Sequence, residues 1–218
     1  MERIDSAYVA YLHQLPFNPY SQYVTGDEIA GSLVWRISAL NDEATHQLIH
    51  PMMREESIEL HALGGSFDVS EVKFGQTRVK DLTDIIYSPD TSKMAVRFIT
   101  PVAFKSKGEY VIVPSTRLIF QNLLMRYEQI YSGSKEIDSE TVDYLSDHSR
   151  ITAYRLRSRY FANVGSKSGK IPAFMGDMTI SINGPQTVVG MVKMLLKFGE
   201  YSGLGIKTSM GMGAMEVE

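Results

Sequence analysis

Apolar and polar residues alternate with a two-residue period at Leu33, Trp35 and Ile37, set against Ser32, Val34 and Arg36. That period predicts a strand over 29–40 with one buried face. The period then changes. Ala44, Leu48 and Met52 are spaced four apart behind Asn41 and Asp42, either of which can cap a helix running to about Arg54. Ser57 to Leu63 again reads as a strand, ended by Gly64-Gly65, and 66–75 continues in strand-like alternation through Phe67, Val69, Val72 and Phe74. Upstream, Asp5 can cap a short helix reaching Leu12, after which Pro16 and Pro19 force extended or turned backbone.

The second half is more regular. A strand over 94–104 carries Val96, Phe98 and Ile99, and Pro114-Ser115-Thr116 introduces a helix over 117–131 that Gly133 ends. The acidic stretch 135–147 predicts an exposed helix or loop. Strands follow over 151–161 and 173–182, the latter closed by Asn183-Gly184-Pro185. A helix over 186–201 carries Val188, Val192, Leu195 and Leu196, and a last strand over 214–217 follows a glycine-rich loop. Strand, helix, strand, strand, helix, strand is the ferredoxin-like (RRM-like) order. The first half reads as the same plan without its opening pieces, although no sequence repeat links the two. The expectation is an α+β chain of two tandem ferredoxin-like domains, 1–92 and 93–218.

The chain has 218 residues and 44% hydrophobic content, enough for one large or two small cores. No apolar run approaches the roughly 20 residues that span a bilayer. The opening Met-Glu-Arg-Ile-Asp-Ser lacks the charged-then-apolar pattern of a signal peptide, and no membrane partner is expected. Absence of cysteine excludes disulfides, thiolate metal sites and a cysteine nucleophile, and fits a cytoplasmic location.

Net charge is −3, which speaks against a generally basic nucleic-acid binder, but the charges are unevenly placed. Between Arg150 and Gly176 there is no acidic residue, while Arg150, Arg155, Arg157, Arg159, Lys167 and Lys170 are all basic; the rest of the chain has 16 basic and 25 acidic residues, a balance of −9. A basic segment on an acidic body is a local footprint for a polyanion. Arg155, Arg157 and Arg159 fall at i, i+2, i+4, so on a strand they share one face about 7 Å apart, near the phosphate spacing of a nucleic-acid strand. Tyr154, Leu156 and Tyr160 take the other face and are expected against the core. Lys167-Ser-Gly-Lys170 forms a basic loop. The plainer reading is a solvated strand face held by salt bridges.

The most specific string is Gly203-Leu-Gly-Ile-Lys-Thr-Ser-Met-Gly-Met-Gly213. Its four glycines, Gly203, Gly205, Gly211 and Gly213, permit positive φ and close backbone approach. Exposed N–H groups in such a turn can form an anion nest, and Lys207, Thr208 and Ser209 add a charge and two hydroxyls suited to phosphate. It is not a Walker loop, which needs Gly-Lys-Ser/Thr before a helix, nor a Rossmann fingerprint, which has the opposite element order. A flexible turn before a C-terminal strand is the alternative.

This tail, following an apolar helix, resembles the C-terminal glycine-rich loop of the CRISPR repeat endoribonucleases, members of the RAMP superfamily. Arg97-Phe-Ile-Thr-Pro-Val-Ala-Phe104, Val113-Pro-Ser, and Tyr11-Leu-His13 with Phe17-Asn-Pro-Tyr-Ser21 are similar to the family in the same order, covering nearly the whole chain. The resemblance implies two ferredoxin-like domains side by side, CRISPR repeat RNA bound along the cleft, a role in antiviral defence, and cleavage without metal or other cofactor. In that chemistry the ribose 2′-hydroxyl attacks the adjacent phosphorus and leaves a cyclic phosphate and a 5′-hydroxyl.

The resemblance places His13 at the position of the family's commonest catalytic histidine, and imidazole suits proton transfer near neutral pH. His46, His50, His61 and His148 match nothing in the family pattern. His46 and His50 stand i, i+4 on a predicted helix, but no third ligand follows the zincin pattern, so no metal site is expected. The chain departs from the family twice. A strand and helix of about 20 to 30 residues precede the Tyr-Leu-His stretch in the family, and Met1 lies only twelve residues before His13; a tyrosine that some relatives use cannot be assigned. Some members also have a lysine shortly after the histidine, where this chain has Gln14-Leu15-Pro16-Phe17. Tyr20, Lys207 and Ser209 are substitutes on chemical grounds. An absent strand would expose edge backbone, predicting a homodimer, a borrowed strand or a start further upstream.

Three readings stay open. The first is a metal-independent repeat endoribonuclease. The second is a catalytically inactive RNA-binding RAMP subunit of a CRISPR effector complex. The third is a ferredoxin-like metabolic or regulatory protein holding a small anion at 203–213, since this architecture hosts many functions.

Overall fold

The computed structural model describes residues 5–27, 31–60, 65–87, 91–134, 136, 138–162 and 169–218. The C-terminal unit is built on one antiparallel sheet. Its strands are β5 (Lys93–Val102), β8 (Ser149–Ala162), β9 (Lys170–Ile182) and β10 (Met215–Val217), in the spatial order β10-β5-β9-β8. With helices Thr116–Tyr131 and Gln186–Ser202 as the two crossovers, this is the ferredoxin-like arrangement. The cause lies in the alternation: Met94, Val96 and Phe98 of β5 are buried on one face, as are Phe174, Met178, Ile180 and Ile182 of β9. The helices cover that face with Ile119, Phe120 and Leu123 from the first, and Val188, Val192, Leu195, Leu196 and Phe198 from the second. Ser115 caps the first helix, its hydroxyl accepting from the Leu118 N–H at 3.3 Å.

The 135–147 stretch contains a helix, Ser139–Asp147, capped by Asp138. It is not merely an exposed segment, because Val142 and Leu145 are fully buried in the main core. A short hairpin, β6 (Phe104–Ser106) with β7 (Glu109–Val111), follows β5.

The N-terminal unit is thinner. Helix Ser6–Leu12 is followed by a hairpin of β1 (Tyr20–Asp27) and β2 (Ser32–Ala39), a helical stretch and a second hairpin of β3 (Ser57–Leu60) and β4 (Gly65–Asp68). Strand, strand, helix, strand is the closing part of the ferredoxin-like order. Among the described residues, β2 and β3 do not pair with each other. The helical stretch joins Asp42–Ala44, a π-helical turn Thr45–Ile49, and His50–Met52. Pro51 explains the π turn: it has no N–H to donate within the helix, and its ring clashes with the preceding turn. Tyr8, Leu12, Tyr20, Ala44 and Leu48 form a small core of this unit's own, while Leu40 and Leu82 are buried in the main core.

Three expectations change. β1 lies in a stretch expected as extended or turned backbone after Pro16 and Pro19, with no strand assigned to it. The strand-like alternation over 66–75 stops at Asp68, and 71–78 is irregular and exposed. Val79–Thr83 forms a helix continued by a 3₁₀ turn, Asp84–Tyr87, that packs on the Gln186–Ser202 helix. There Gly190 is required, because a Cβ would stand 2.0 Å from the Ile86 carbonyl oxygen. Among the described residues no helix is long and apolar enough to cross a membrane.

Candidate active site

His13 stands at the C-terminal end of the Ser6–Leu12 helix, its N–H bonded to the Val9 carbonyl at 3.2 Å. Asp5 starts that helix by accepting from the Ala7 N–H at 2.7 Å. Tyr8 and Leu12 anchor one side in the small N-terminal core and leave the imidazole exposed. The ring borders a cavity of about 310 Å³ whose opposite wall is the glycine-rich turn: Gly205, Ile206, Lys207, Thr208 and Ser209 line it together with Phe17 and Asn18. Residues nearly 200 positions apart thus share one cleft.

The turn is a built structure. The N–H groups of Leu204, Ile206 and Gly213 bond to the carbonyls of Gly213, Ala103 and Pro101. The Gly205 N–H donates to Asn122 Oδ1 at 2.8 Å, and Met210 and Met212 both donate to the Lys207 carbonyl. These N–H groups are therefore unavailable to an anion, in contrast to the open nest expected from the glycine spacing. At Gly205, φ is +83° and a Cβ would lie 2.3 Å from the Ala103 oxygen; at Gly213, φ is +77° and a Cβ would lie 2.1 Å from the Leu204 oxygen. Only glycine permits this approach. Gly203 and Gly211 also have positive φ, and Lys207 is itself left-handed at φ +55°.

The hydroxyls of the turn are engaged as well. Thr208 is buried and its Oγ1 accepts from Arg126 at 2.9 Å. Ser209 is where the N-terminal unit takes hold: its Oγ accepts from Asn18 Nδ2 at 2.8 Å and bonds with the Tyr20 hydroxyl, and its carbonyl accepts from Gln22 Nε2 at 2.7 Å. Burial raises the pKa of Tyr20, with the Ser209 contact opposing. Lys207 stays half-buried at the cavity wall with no carboxylate partner among the described residues. Arg126, which also lines the cavity, escaped the sequence reading. Its signal was present: Ile119, Leu123 and Arg126 follow i, i+4, i+7 along the buried face of their helix.

Arg155, Arg157 and Arg159 are exposed on β8, opposite Asp177, Met175 and Ala173 of β9. They share a face, and that face is not purely basic, because Asp177 also pairs with Arg97 at 3.1 Å. Arg157 borders a second cleft of about 430 Å³ with Arg97, Met175 and Asp177 of the sheet and Tyr23 and Thr25 of β1. The arginines do not line the His13 cavity. Tyr154 and Tyr160, expected against the core, are 73% and 69% exposed, and of the three residues expected there Leu156 alone packs inward. β8 is the outer strand of the sheet, so its far flank meets solvent. Lys170 is exposed at the start of β9, and Lys167 lies outside the described residues.

Among the described residues no three His, Asp or Glu side chains converge as metal ligands. His46 and His50 stack edge to face with ring centroids 5.5 Å apart.

The family model for the CRISPR-associated endoribonuclease Cas6 matches residues 96–215, which include the turn and the sheet that carries it. The whole chain aligns with the CRISPR-associated endoribonuclease Cas6 of Streptococcus thermophilus at 40% identity, spanning 88% of that protein. The chain belongs to the Cas6 family. The Cas6 of Mycobacterium tuberculosis H37Rv is 39% identical over the full chain, which spans 69% of that longer protein. Among solved structures, a Cas6 product complex superposes with a TM-score of 0.78 at 22% identity, over 97% of this chain and 87% of that one. A Cas6-related protein from Pyrococcus furiosus gives a TM-score of 0.63 at 14% identity, over 98% of this chain and 84% of that one. At such identities these likenesses establish the shared tandem ferredoxin-like fold of Cas6 proteins. The glycine-rich turn and most of the ferredoxin-like sheet of this Cas6 chain lie within the segment that the family model matches, and His13 lies outside it.

Proposed function

We propose that the chain is a cytoplasmic endoribonuclease that binds precursor CRISPR RNA and cuts it within the repeat, without a metal. The observation that carries this is the shared cavity of His13 and the 203–213 turn. His13 moves the proton: the imidazole accepts it from the ribose 2′-hydroxyl or returns it to the leaving 5′-oxygen. As the 2′-oxygen bonds to phosphorus the P–O5′ bond breaks, giving a cyclic phosphate and a 5′-hydroxyl. Lys207 supplies positive charge at the cavity wall. Gly203, Gly205, Gly211 and Gly213 shape that wall, while Thr208 and Ser209 fix it through Arg126, Asn18 and Tyr20. Arg155, Arg157, Arg159 and Lys170, with Lys167, follow the phosphate chain away from the cleavage point, as sequence-independent contacts do. In this reading the chain works as two units, 1–92 and 93–218, with the scissile phosphate at their seam.

The test uses RNA of the CRISPR repeat from the same genome, in excess chelator. The wild type is expected to cut at one position. His13→Ala should cut at least about 100-fold more slowly, as loss of one acid–base group predicts, with its Kd within threefold of wild type. Full cleavage by that variant moves the chemistry elsewhere. Tight binding with no cleavage by the wild type makes the chain a non-cutting RNA-binding subunit. Replacing Arg155, Arg157 and Arg159 by Ala together should weaken binding and flatten its salt slope by about 2, at roughly 0.7 per lost phosphate contact. An unchanged slope removes the β8 arginines from the interface.

A further inference from the structure

Arg126 is 2% exposed and sits directly behind the 203–213 turn. Every hydrogen-bond acceptor it meets is neutral: Asn122 Oδ1 at 3.3 Å, the Ser202 carbonyl at 3.1 Å, the Gly205 carbonyl at 2.6 Å and Thr208 Oγ1 at 2.9 Å. The Phe17 ring stacks against it, 4.8 Å from the guanidinium carbon to the ring centroid. No carboxylate offsets it among the described residues. Burial lowers its pKa to about 10, and nothing charged opposes that shift, so the side chain is still a cation at neutral pH.

A buried charge without a counter-ion is costly, and removing one partner from a buried pair is among the most destabilising of changes. Neutral acceptors alone do not explain why arginine stands here, since an amide could satisfy several of the same carbonyls. The cation borders the cavity that also holds His13 and Lys207, and an anion entering that cavity would offset it. The low dielectric around Arg126 lets its field reach the cavity with little screening.

We propose that Arg126 is a positioning residue for RNA cleavage that has a second, electrostatic duty: it braces the glycine-rich turn and keeps a buried positive charge that a backbone phosphate in the His13 cavity answers. This rests on the ribonuclease reading above. The two duties separate at Asn122. Asn122→Asp places a carboxylate where Oδ1 now accepts from the Gly205 N–H and from Arg126 Nε. The brace is kept or tightened, and the charge is neutralised in place.

The measurements are thermal melting, cleavage of the repeat RNA, and the salt dependence of binding to the same RNA with a 2′-deoxy nucleotide at the cut. Asn122→Asp is expected to melt at or above the wild-type temperature. It should cut at least tenfold more slowly and lose about 0.7 from its salt slope, the contribution of one phosphate contact. A folded Asn122→Asp variant with wild-type rate and slope overturns the electrostatic duty. Should that variant not fold, Arg126→Lys and Arg126→Gln decide: the lysine is expected to keep the slope and the glutamine to lose it, and equal slopes overturn the proposal. If the wild type binds but does not cut, the ribonuclease reading falls and the slopes alone judge Arg126. If the wild type binds no RNA at low salt, both fall.

Discussion

The two halves of the molecule are held together by different means. The C-terminal unit closes its own core: four paired strands, two long helices on one face, and more than a dozen fully buried apolar side chains. The N-terminal unit has a small core of its own, Tyr8, Leu12, Tyr20, Ala44 and Leu48, lends Leu40 and Leu82 to the larger core, and among the described residues its strands form two separate hairpins. Its remaining order comes from across the seam. Asn18, Tyr20 and Gln22 grip Ser209, Ser21 bonds the Tyr201 carbonyl, and Phe17 stacks on Arg126. The contrast teaches where the site's geometry is made. His13 sits on the weaker half, and its distance from the turn is set by docking rather than by its own core.

The largest effect should come from testing that contrast directly. Leu195 is fully buried in the main core, and Leu195→Ala should cost about 2–5 kcal/mol of global stability. Leu48 belongs to the small cluster near the surface, where neighbours can settle into the space, so Leu48→Ala should cost about 2 kcal/mol, the low end of that range. The single tryptophan, Trp35, lies on β2 with its indole N–H bonded to Gln22, so its fluorescence reports the N-terminal half alone. In urea, Leu48→Ala should lose the Trp35 signal before far-ultraviolet circular dichroism changes, while Leu195→Ala moves both together. Coincident transitions in both variants would make the molecule a single cooperative unit and break the comparison.

Next in size is the wall that the two halves share. Gly205→Ala puts a Cβ into the Ala103 carbonyl and a side chain at φ +83°, which should cost about 2 kcal/mol between left-handed strain and backbone displacement. The Gly205 carbonyl also anchors Arg126, so the damage reaches the cavity. Cleavage should fall by more than tenfold while Trp35 fluorescence still reports a folded N-terminal half. Wild-type cleavage by a folded Gly205→Ala protein would detach the turn from the chemistry.

This difference between the halves also decided what could be read from sequence. β5, β9 and the helix that carries Leu195 were legible because their periodicity reflects a core built from nearby elements. β1 was not. Its residues Ser21 and Gln22 hydrogen-bond to partners some 180 residues away rather than packing apolar surface. Tyr154 and Tyr160 misled for the opposite reason: their alternation is regular, but an outer strand has a flank that no helix covers. The glycine spacing revealed a special turn, yet its internal hydrogen bonds, which occupy N–H groups expected to face a ligand, depend on Ala103, Pro101 and Asn122 from distant strands and helices. Arg126 was visible as a cation on an apolar stripe. What it faces was not.

The smallest effect at neutral pH is also the sharpest probe of the weaker half. The Tyr8 hydroxyl is buried without a hydrogen-bond partner among the described residues, on the same helix as His13. Burial, helped by Glu43, raises its pKa to about 12, whereas an unfolded tyrosine titrates near about 10. The folded state therefore keeps a proton that the unfolded state releases above pH 10. The contribution to stability is present below that pH and is lost as pH rises through 12. Tyr8→Phe removes both the orphan hydroxyl and this titration. At pH 7 the Trp35 urea midpoint should be unchanged or slightly higher, since deleting an unsatisfied buried group is neutral to favourable by about 1 kcal/mol. At pH 11 the variant should have lost less than the wild type. Tyr20, Tyr127 and Tyr131 are raised too, so part of the alkaline loss will remain. Equal losses in the two proteins would mean that the helix carrying His13 is already open to solvent at Tyr8, and that the N-terminal core is weaker still than its buried residues suggest.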